Sequence, residues 1–256
     1  MAISYNEAIK IAQKFAKELY EKYNYNIIAV FAIGSLGSDY YRPGQSDIDT
    51  FTITKYDRNG RQAIRKDVRE IADRYDNEYG IGFGAIIVAE EQLYPPYVKT
   101  EELILEILRL KTQSKLLYGM YDVKKIPMPD KQAIIDDAIS FQEWIDERKR
   151  ERQKKEELEG KVSNKILNGE ILVNCTLISL KRYLLIKHDI IEFNKFKVIE
   201  LYLENNPPIV NDEVFEYINL RLHEKIGDAC DEKALRMTRW LDELEKVVNN
   251  LVLYNK

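Results

Sequence analysis

Apolar side chains recur every three or four positions at the start of the chain. Tyr5, Ala8, Ile9, Ala12, Phe15, Ala16, Leu19 and Tyr23 share one helical face. Ser4, with Glu7 three residues later, is a capping box that opens this helix. The pattern then shortens. IIAVFAI, residues 27–33, is an apolar run of strand length, GSLGSDYYRPG is rich in turn formers, and DIDTFTIT, residues 47–54, alternates as a strand does. Asn59-Gly60 marks a turn, and Ile64, Val68, Ile71, Ala72, Tyr75 and Tyr79 return to helical spacing over residues 61–79. Gly80 stops that helix, IGFGAIIVA (81–89) reads as a third strand, Pro95-Pro96 breaks the chain, and residues 100–118 predict another helix before Gly119. The order helix, strand, loop, strand, helix, strand, helix predicts an α/β (α+β) unit with a small mixed sheet.

The character changes at Pro127 and Pro129, beyond which nothing signals a strand. A long helix is expected over 131–159, its second half nearly all charge, and a mostly apolar one over 162–187. Helices at about 195–205, 212–226 and 231–253 complete an all-helical bundle. The expected domains are therefore 1–125 and 126–256.

Composition narrows the possibilities. The 256 residues are 45% hydrophobic and 32% charged, with 11 Gly and 7 Pro, which excludes a collagen-like or wholly disordered chain. No apolar run reaches membrane-spanning length, and the charged N-terminus is unlike a secretory signal. Cys175 and Cys230 make neither a disulfide framework nor a zinc site, so a cytoplasmic location is expected. A net charge of −4 gives no basis for holding nucleic acid by bulk electrostatics. The charge run at 146–159 mixes both signs and reads as a solvated helix face.

The segment that carries chemistry is FAIGSLGSDYYRPGQSDID, residues 31–49. Asp47 and Asp49, two apart at a strand start, point to the same side. Two such carboxylates repel unless a cation neutralises them, and Mg²⁺ is shared by preference between carboxylates and substrate phosphates. Gly34 lets a polyphosphate approach the backbone, and the Ser35 hydroxyl and nearby amides are donors for it.

In the order strand, Gly-Ser, spacer, Asp-x-Asp, strand, this stretch resembles the signature of the polymerase-β-like nucleotidyltransferase superfamily. An α/β unit of this size followed by a helical bundle is similar to the antibiotic nucleotidyltransferases. These include aminoglycoside adenylyltransferases of the spectinomycin/streptomycin and kanamycin types, which are antibiotic-resistance enzymes. The resemblance implies that a hydroxyl of a small molecule attacks the α-phosphate of a nucleoside triphosphate, ATP above all, and that pyrophosphate leaves. It implies Asp47 and Asp49 as Mg²⁺ ligands and catalytic residues, and Gly34 and Ser35, with Ser46, on the phosphates. Lys181, in the apolar helix LISLKRYLLIKH, is its candidate for a lysine on the triphosphate; the side chain alone reads equally as one that snorkels.

The sequence departs from the family at one point. The third strand commonly supplies a further carboxylate, and the corresponding position here is Gly84. In kanamycin-type relatives the general base comes from the helical domain, which makes Glu143 the analogous candidate, with Glu147 one turn later; Glu78 precedes the strand, and Glu90-Glu91 follow it. The missing carboxylate leaves open a nucleotide-binding regulator without turnover. Arg182 and His188 also fit the loose Arg-x₄₋₆-His pattern of HEPN-type ribonucleases, although six residues set their faces roughly 120° apart.

Overall fold

A computed structural model describes residues 2–38, 40–97, 103–159 and 169–205. The chain divides into two compact units, Met1–Val98 with Ile104–Pro129, and Lys99–Leu103 with Asp130–Lys256.

In the first unit, α1 (Tyr5–Tyr23) begins at the expected capping box: the Ser4 hydroxyl accepts from the Glu7 amide and the Glu7 carboxylate accepts from the Ser4 amide. It is followed by β1 (Ile27–Ile33), a one-turn α2 (Gly34–Gly37), β2 (Ile48–Thr54), α3 (Arg58–Tyr79), β3 (Phe83–Ala89), α4 (Leu103–Thr112) and β4 (Ser114–Gly119). The sheet order is β3-β2-β1-β4. β1 is antiparallel to both β2 and β4, whereas β2 and β3 are parallel, joined through α3 as a parallel pair requires. The sheet is small and mixed, as expected.

Two expectations need correction. Asn59-Gly60 does not lie in a turn ahead of the helix. Asp57 caps α3 by accepting from the Gly60 amide at 2.7 Å, and both residues sit in its first turn. The second concerns 100–118, which is not one helix. α4 stops at Thr112, where the Thr112 and Ser114 hydroxyls donate back to the carbonyls of Leu108 and Leu110. The chain then turns into β4, with Ile33 opposite Ser114 and Val30 opposite Tyr118. The apolar spacing of LILEILRL runs on into KLLYG, and spacing alone does not separate a helix end from an adjoining edge strand.

One face of the sheet is covered by α1 and α3. Ala8, Ala12, Phe15 and Leu19 of α1 meet Val68, Ile71 and Tyr75 of α3 over Val30, Ala32, Ile48 and Ile87. Phe15 packs its ring 5.5 Å from Tyr75 and 4.7 Å from Phe83. Side chains alternate along β2, so with Ile48 turned to this core Asp49 projects from the opposite face.

The second unit contains α5 (Lys131–Glu159), α6 (Gly169–His188) and α7 (Lys195–Glu204). Arg182 of α6 bonds Asp137 of α5 through Nε at 3.1 Å and Nη2 at 2.6 Å, and Tyr183 packs edge-on against Tyr202 of α7 at 5.1 Å. Among the described residues no strand follows Gly119, and no helix is long and apolar enough to cross a membrane. The helices expected at 212–226 and 231–253, and Cys230, lie outside the described residues.

Candidate active site

The site is built where β1 ends and β2 begins. In the antiparallel register Ile33 lies opposite Asp49, so the turn leaving β1 emerges beside that carboxylate. Gly34 has φ +65°, and a Cβ there would sit 3.1 Å from Asp49 Oδ2 and 3.1 Å from Arg109 Nη2. Glycine is thus required for both its conformation and the close approach of two charged groups. The Ser38 hydroxyl closes the turn by donating to the Gly34 carbonyl at 2.6 Å. Ser35 is half-buried in this turn.

The loop returns through a second turn, in which the Ser46 hydroxyl accepts from the Arg42 amide at 2.9 Å and the Ser46 amide donates to the Arg42 carbonyl. Ser46 therefore shapes the approach to Asp47. The Ile48 amide donates to the Gly82 carbonyl at 2.8 Å, fixing the start of β2 against β3.

The segment entering β3, and β3 itself, then supply a glycine floor. A Cβ on Gly82 would lie 2.5 Å from Asp47 Oδ1, and a Cβ on Gly84 would lie 2.4 Å from Asp49 Oδ1. The parallel register places Gly84 directly opposite Asp49. The missing third carboxylate has a steric explanation: with Asp49 in this rotamer, position 84 has no room for a side chain. Glu90 and Glu91 do not substitute, because Glu90 is six positions further along, about 20 Å at ~3.3 Å per residue. Glu78 is engaged elsewhere, with the Lys14 ammonium at 3.2 Å; hydrogen bonding by Tyr79 first and by Lys14 second holds its carboxyl below the usual range.

Arg109 of α4 is the residue that sequence reasoning missed. Its guanidinium stands 3.9 Å from Asp49 and 3.4 Å from Glu106, and its Nε is buried without a hydrogen-bond partner among the described residues. Burial opposes its charge, but the negative fields of Glu106 and Asp49 outweigh it, so its pKa lies above the ordinary arginine value. The signal was present in LILEILRL, an acid and a base one turn apart in an otherwise apolar stretch of the helix. On the other side of the loop, burial first and the Asp47 charge second push the Tyr41 phenol upward.

The donor set bears on which cation fits. Among the described residues no group of three or more His, Cys, Asp or Glu side chains is placed to hold a metal. Two carboxylates over a bare backbone floor do not form a resident cage. They match the way Mg²⁺ is held by one or two carboxylates together with water and substrate phosphates.

Glu143 and Lys181 belong to the second unit. Glu143 is exposed on α5, and the Lys181 ammonium lies 5.7 Å from the Phe193 ring centroid. Arg182 is 1% exposed, its guanidinium bonded to Asp137 and stacked 4.1 Å over Phe141, while the His188 ring lies 5.6 Å from that of Tyr183. Arg182 thus links α5 to α6 through Asp137 and Phe141.

No family model matches the chain, and no curated protein matches it. Among solved structures it is similar to the spectinomycin adenyltransferase AAD(9) from Enterococcus faecialis with ATP and spectinomycin. That likeness has 16% identity and a TM-score of 0.61, and covers 95% of this chain and 99% of the other. A toxin-antitoxin with AMP-PNP matches over 56% of this chain and 93% of its own, at 14% identity and a TM-score of 0.28. A tri-AMPylated Shewanella oneidensis HEPN toxin in complex with MNT antitoxin matches over 57% and 93%, at 13% identity and a TM-score of 0.26. The adenyltransferase likeness shows the fold alone, a small mixed α/β sheet unit followed by helices, which is the architecture expected from the sequence.

Proposed function

We propose that this protein is a Mg²⁺-dependent nucleotidyltransferase that moves a nucleoside monophosphate, AMP from ATP, to a hydroxyl of a small molecule of the aminoglycoside kind. The observation that carries the reading is the placement of Asp47 and Asp49 over Gly82 and Gly84, beside the Gly34 turn. The fold likeness to an adenyltransferase solved with ATP and spectinomycin supports both donor and acceptor class.

The geometry around Asp49 supports the following roles. The Gly34 turn brings backbone amides and the Ser35 hydroxyl close to the end of β1, where the triphosphate would be cradled. Asp47 and Asp49 are the residues that would hold Mg²⁺, and the ion, when bound, supplies charge neutralisation on the phosphates. The acceptor oxygen attacks the α-phosphorus, the bond to the β-phosphate oxygen breaks, and pyrophosphate departs. The acceptor's proton passes to a carboxylate. Because position 84 is a glycine and supplies none, Glu143 on α5 is the proposed base, in line with the sequence resemblance. Lys181 is proposed on the triphosphate on the same ground.

A regulator that binds nucleotide without turnover is the second reading, and the bare Gly84 favours it. Product analysis decides between them. The full chain with Mg-ATP is expected to release pyrophosphate only when an acceptor from an aminocyclitol and aminoglycoside panel is present. Asp47→Ala and Asp49→Ala should abolish release while the far-UV spectrum and melting midpoint stay close to the parent's. Tight Mg-ATP binding with no release across the panel would favour the regulator, and normal turnover in both variants would reject the site.

A further inference from the structure

Arg109 stands on the candidate phosphate side of the site with its charge only loosely satisfied. Charge-assisted hydrogen bonds between guanidinium and carboxylate close to about 2.7–2.9 Å. Arg109 instead keeps Nη1 3.4 Å from both Glu106 oxygens and Nη2 3.9 Å from Asp49 Oδ2. Its Nε donor is buried without a partner among the described residues. A guanidinium has five N–H donors in a rigid fork, so most of its capacity is unspent.

Position completes the picture. The same point above Gly34, where a Cβ would stand, is 3.1 Å from Nη2 and 3.1 Å from Asp49 Oδ2. The guanidinium and the proposed metal ligand thus converge on the turn that would receive the triphosphate. A cation arriving at Asp49 competes with Arg109 for that carboxylate, and a phosphate arriving at the Gly34 turn meets a cation with free donors.

We propose that Arg109 is a counter-cation exchanger: it neutralises Asp49 in the empty site and transfers to the triphosphate oxygens when a divalent cation takes the carboxylate. This rests on the nucleotidyltransferase reading and adds a coupling to it. Metal alone must weaken the Asp49–Arg109 pair with nothing in return. Metal and triphosphate together give the guanidinium a bidentate anionic partner, so each strengthens the binding of the other. Glu106 keeps the guanidinium in place during the exchange.

The test uses the full chain, with Mn²⁺ read by electron paramagnetic resonance and a non-hydrolysable ATP analogue read by calorimetry. Arg109→Met combined with Glu106→Gln removes the pair without leaving a half-buried carboxylate alone. This variant should bind Mn²⁺ alone about fivefold or more tightly than the parent, the lower end of ordinary coupling between sites. It should bind the Mn²⁺-loaded analogue about tenfold or more weakly, the loss expected for charged hydrogen bonds. Arg109→Lys keeps the charge but not the fork; it should leave Mn²⁺ affinity near the parent's and weaken the analogue several-fold, and it carries the test should the double variant fail to fold. If both affinities fall together in a folded variant, or neither moves, Arg109 is structural and the exchange is wrong. If the parent binds no Mn²⁺ at all and Asp49→Asn changes nothing, it is the underlying metal-site reading that has failed.

Discussion

Two arginines in this molecule are withdrawn from water beside carboxylates, and they are held in opposite ways. Arg182 is 1% exposed, makes bonds of 2.6 and 3.1 Å to Asp137, and lies 4.1 Å over the Phe141 ring. The Arg109 side chain is 17% exposed and faces carboxylates of two elements at 3.4 and 3.9 Å. Desolvating an ion pair costs several kcal/mol and is offset only by close geometry and further contacts. The helical unit meets that condition through Nε and Nη2 of Arg182, whereas its Nη1 is buried without a hydrogen-bond partner among the described residues. The sheet unit leaves it unmet at Arg109, which stands beside Asp49 and Glu106 without a close bond to either. On the reading proposed above, the closer pair packs α5 against α6 and the looser one stays available to a ligand.

The comparison is broken most severely from the closed side. Asp137→Ala leaves the Arg182 guanidinium buried without its carboxylate, and such losses cost about 3–5 kcal/mol. Replacing both partners by apolar residues, Asp137→Leu with Arg182→Met, should recover most of that stability. Arg109→Met with Glu106→Gln should cost well under half as much. Urea melts of the four proteins check the ordering. Equal losses at the two arginines would mean that the distances do not report how each is used.

A smaller effect is expected from the floor beneath Asp49. Gly84→Ala places a methyl carbon where only 2.4 Å separates it from Oδ1, so the carboxylate must move by about an ångström to regain contact distance. Displacements of that size cost about 10²-fold in rate. Turnover with Mg-ATP should fall by that factor while the melting midpoint barely moves, because the site faces away from the α1–α3 core. A substitution at Glu143, exposed on α5, separates base from floor: Glu143→Gln should lower the rate and leave the triphosphate affinity unchanged.

The two arginines also show what was legible in the sequence. Gly34, Asp47 and Asp49 were readable because a turn, a strand start and two-residue spacing act locally, and the structure brings these three together. Gly84 was identified as the position matching the absent carboxylate, but its reason is a cross-strand register that no single segment contains. Arg109 was hidden by a period error. Residues 100–118 were expected to form one helix; once β4 splits off, α4 is a short helix that carries Arg109 beside Asp49. Arg182 drew attention through a permissive Arg-His spacing, and only the position of Asp137 on another helix shows that it is closed.

The smallest contrast is on the surface of the sheet unit, where Asp67 of α3 accepts from Lys22 at 2.6 Å and from the Tyr23 hydroxyl of α1. Lys22 first, and Tyr23 second, hold its carboxyl below the ordinary aspartate value against a small opposing effect of burial. A depressed folded-state pKa contributes stability that is complete above the unfolded value, about 3.9, and is lost as pH falls through the lower folded value. The Asp67 side chain is 37% exposed, so water and salt screen the pair and its worth is at most about 1 kcal/mol. Asp67→Asn should therefore lower stability slightly and by a constant amount from pH 8 down to about 5, and the gap to the parent should shrink below about pH 4. Added salt should shrink it at neutral pH as well, which it should not do for the closed Arg182 pair. A gap that stays constant through pH 3 would assign the effect to packing of Tyr23 against α3 and not to charge.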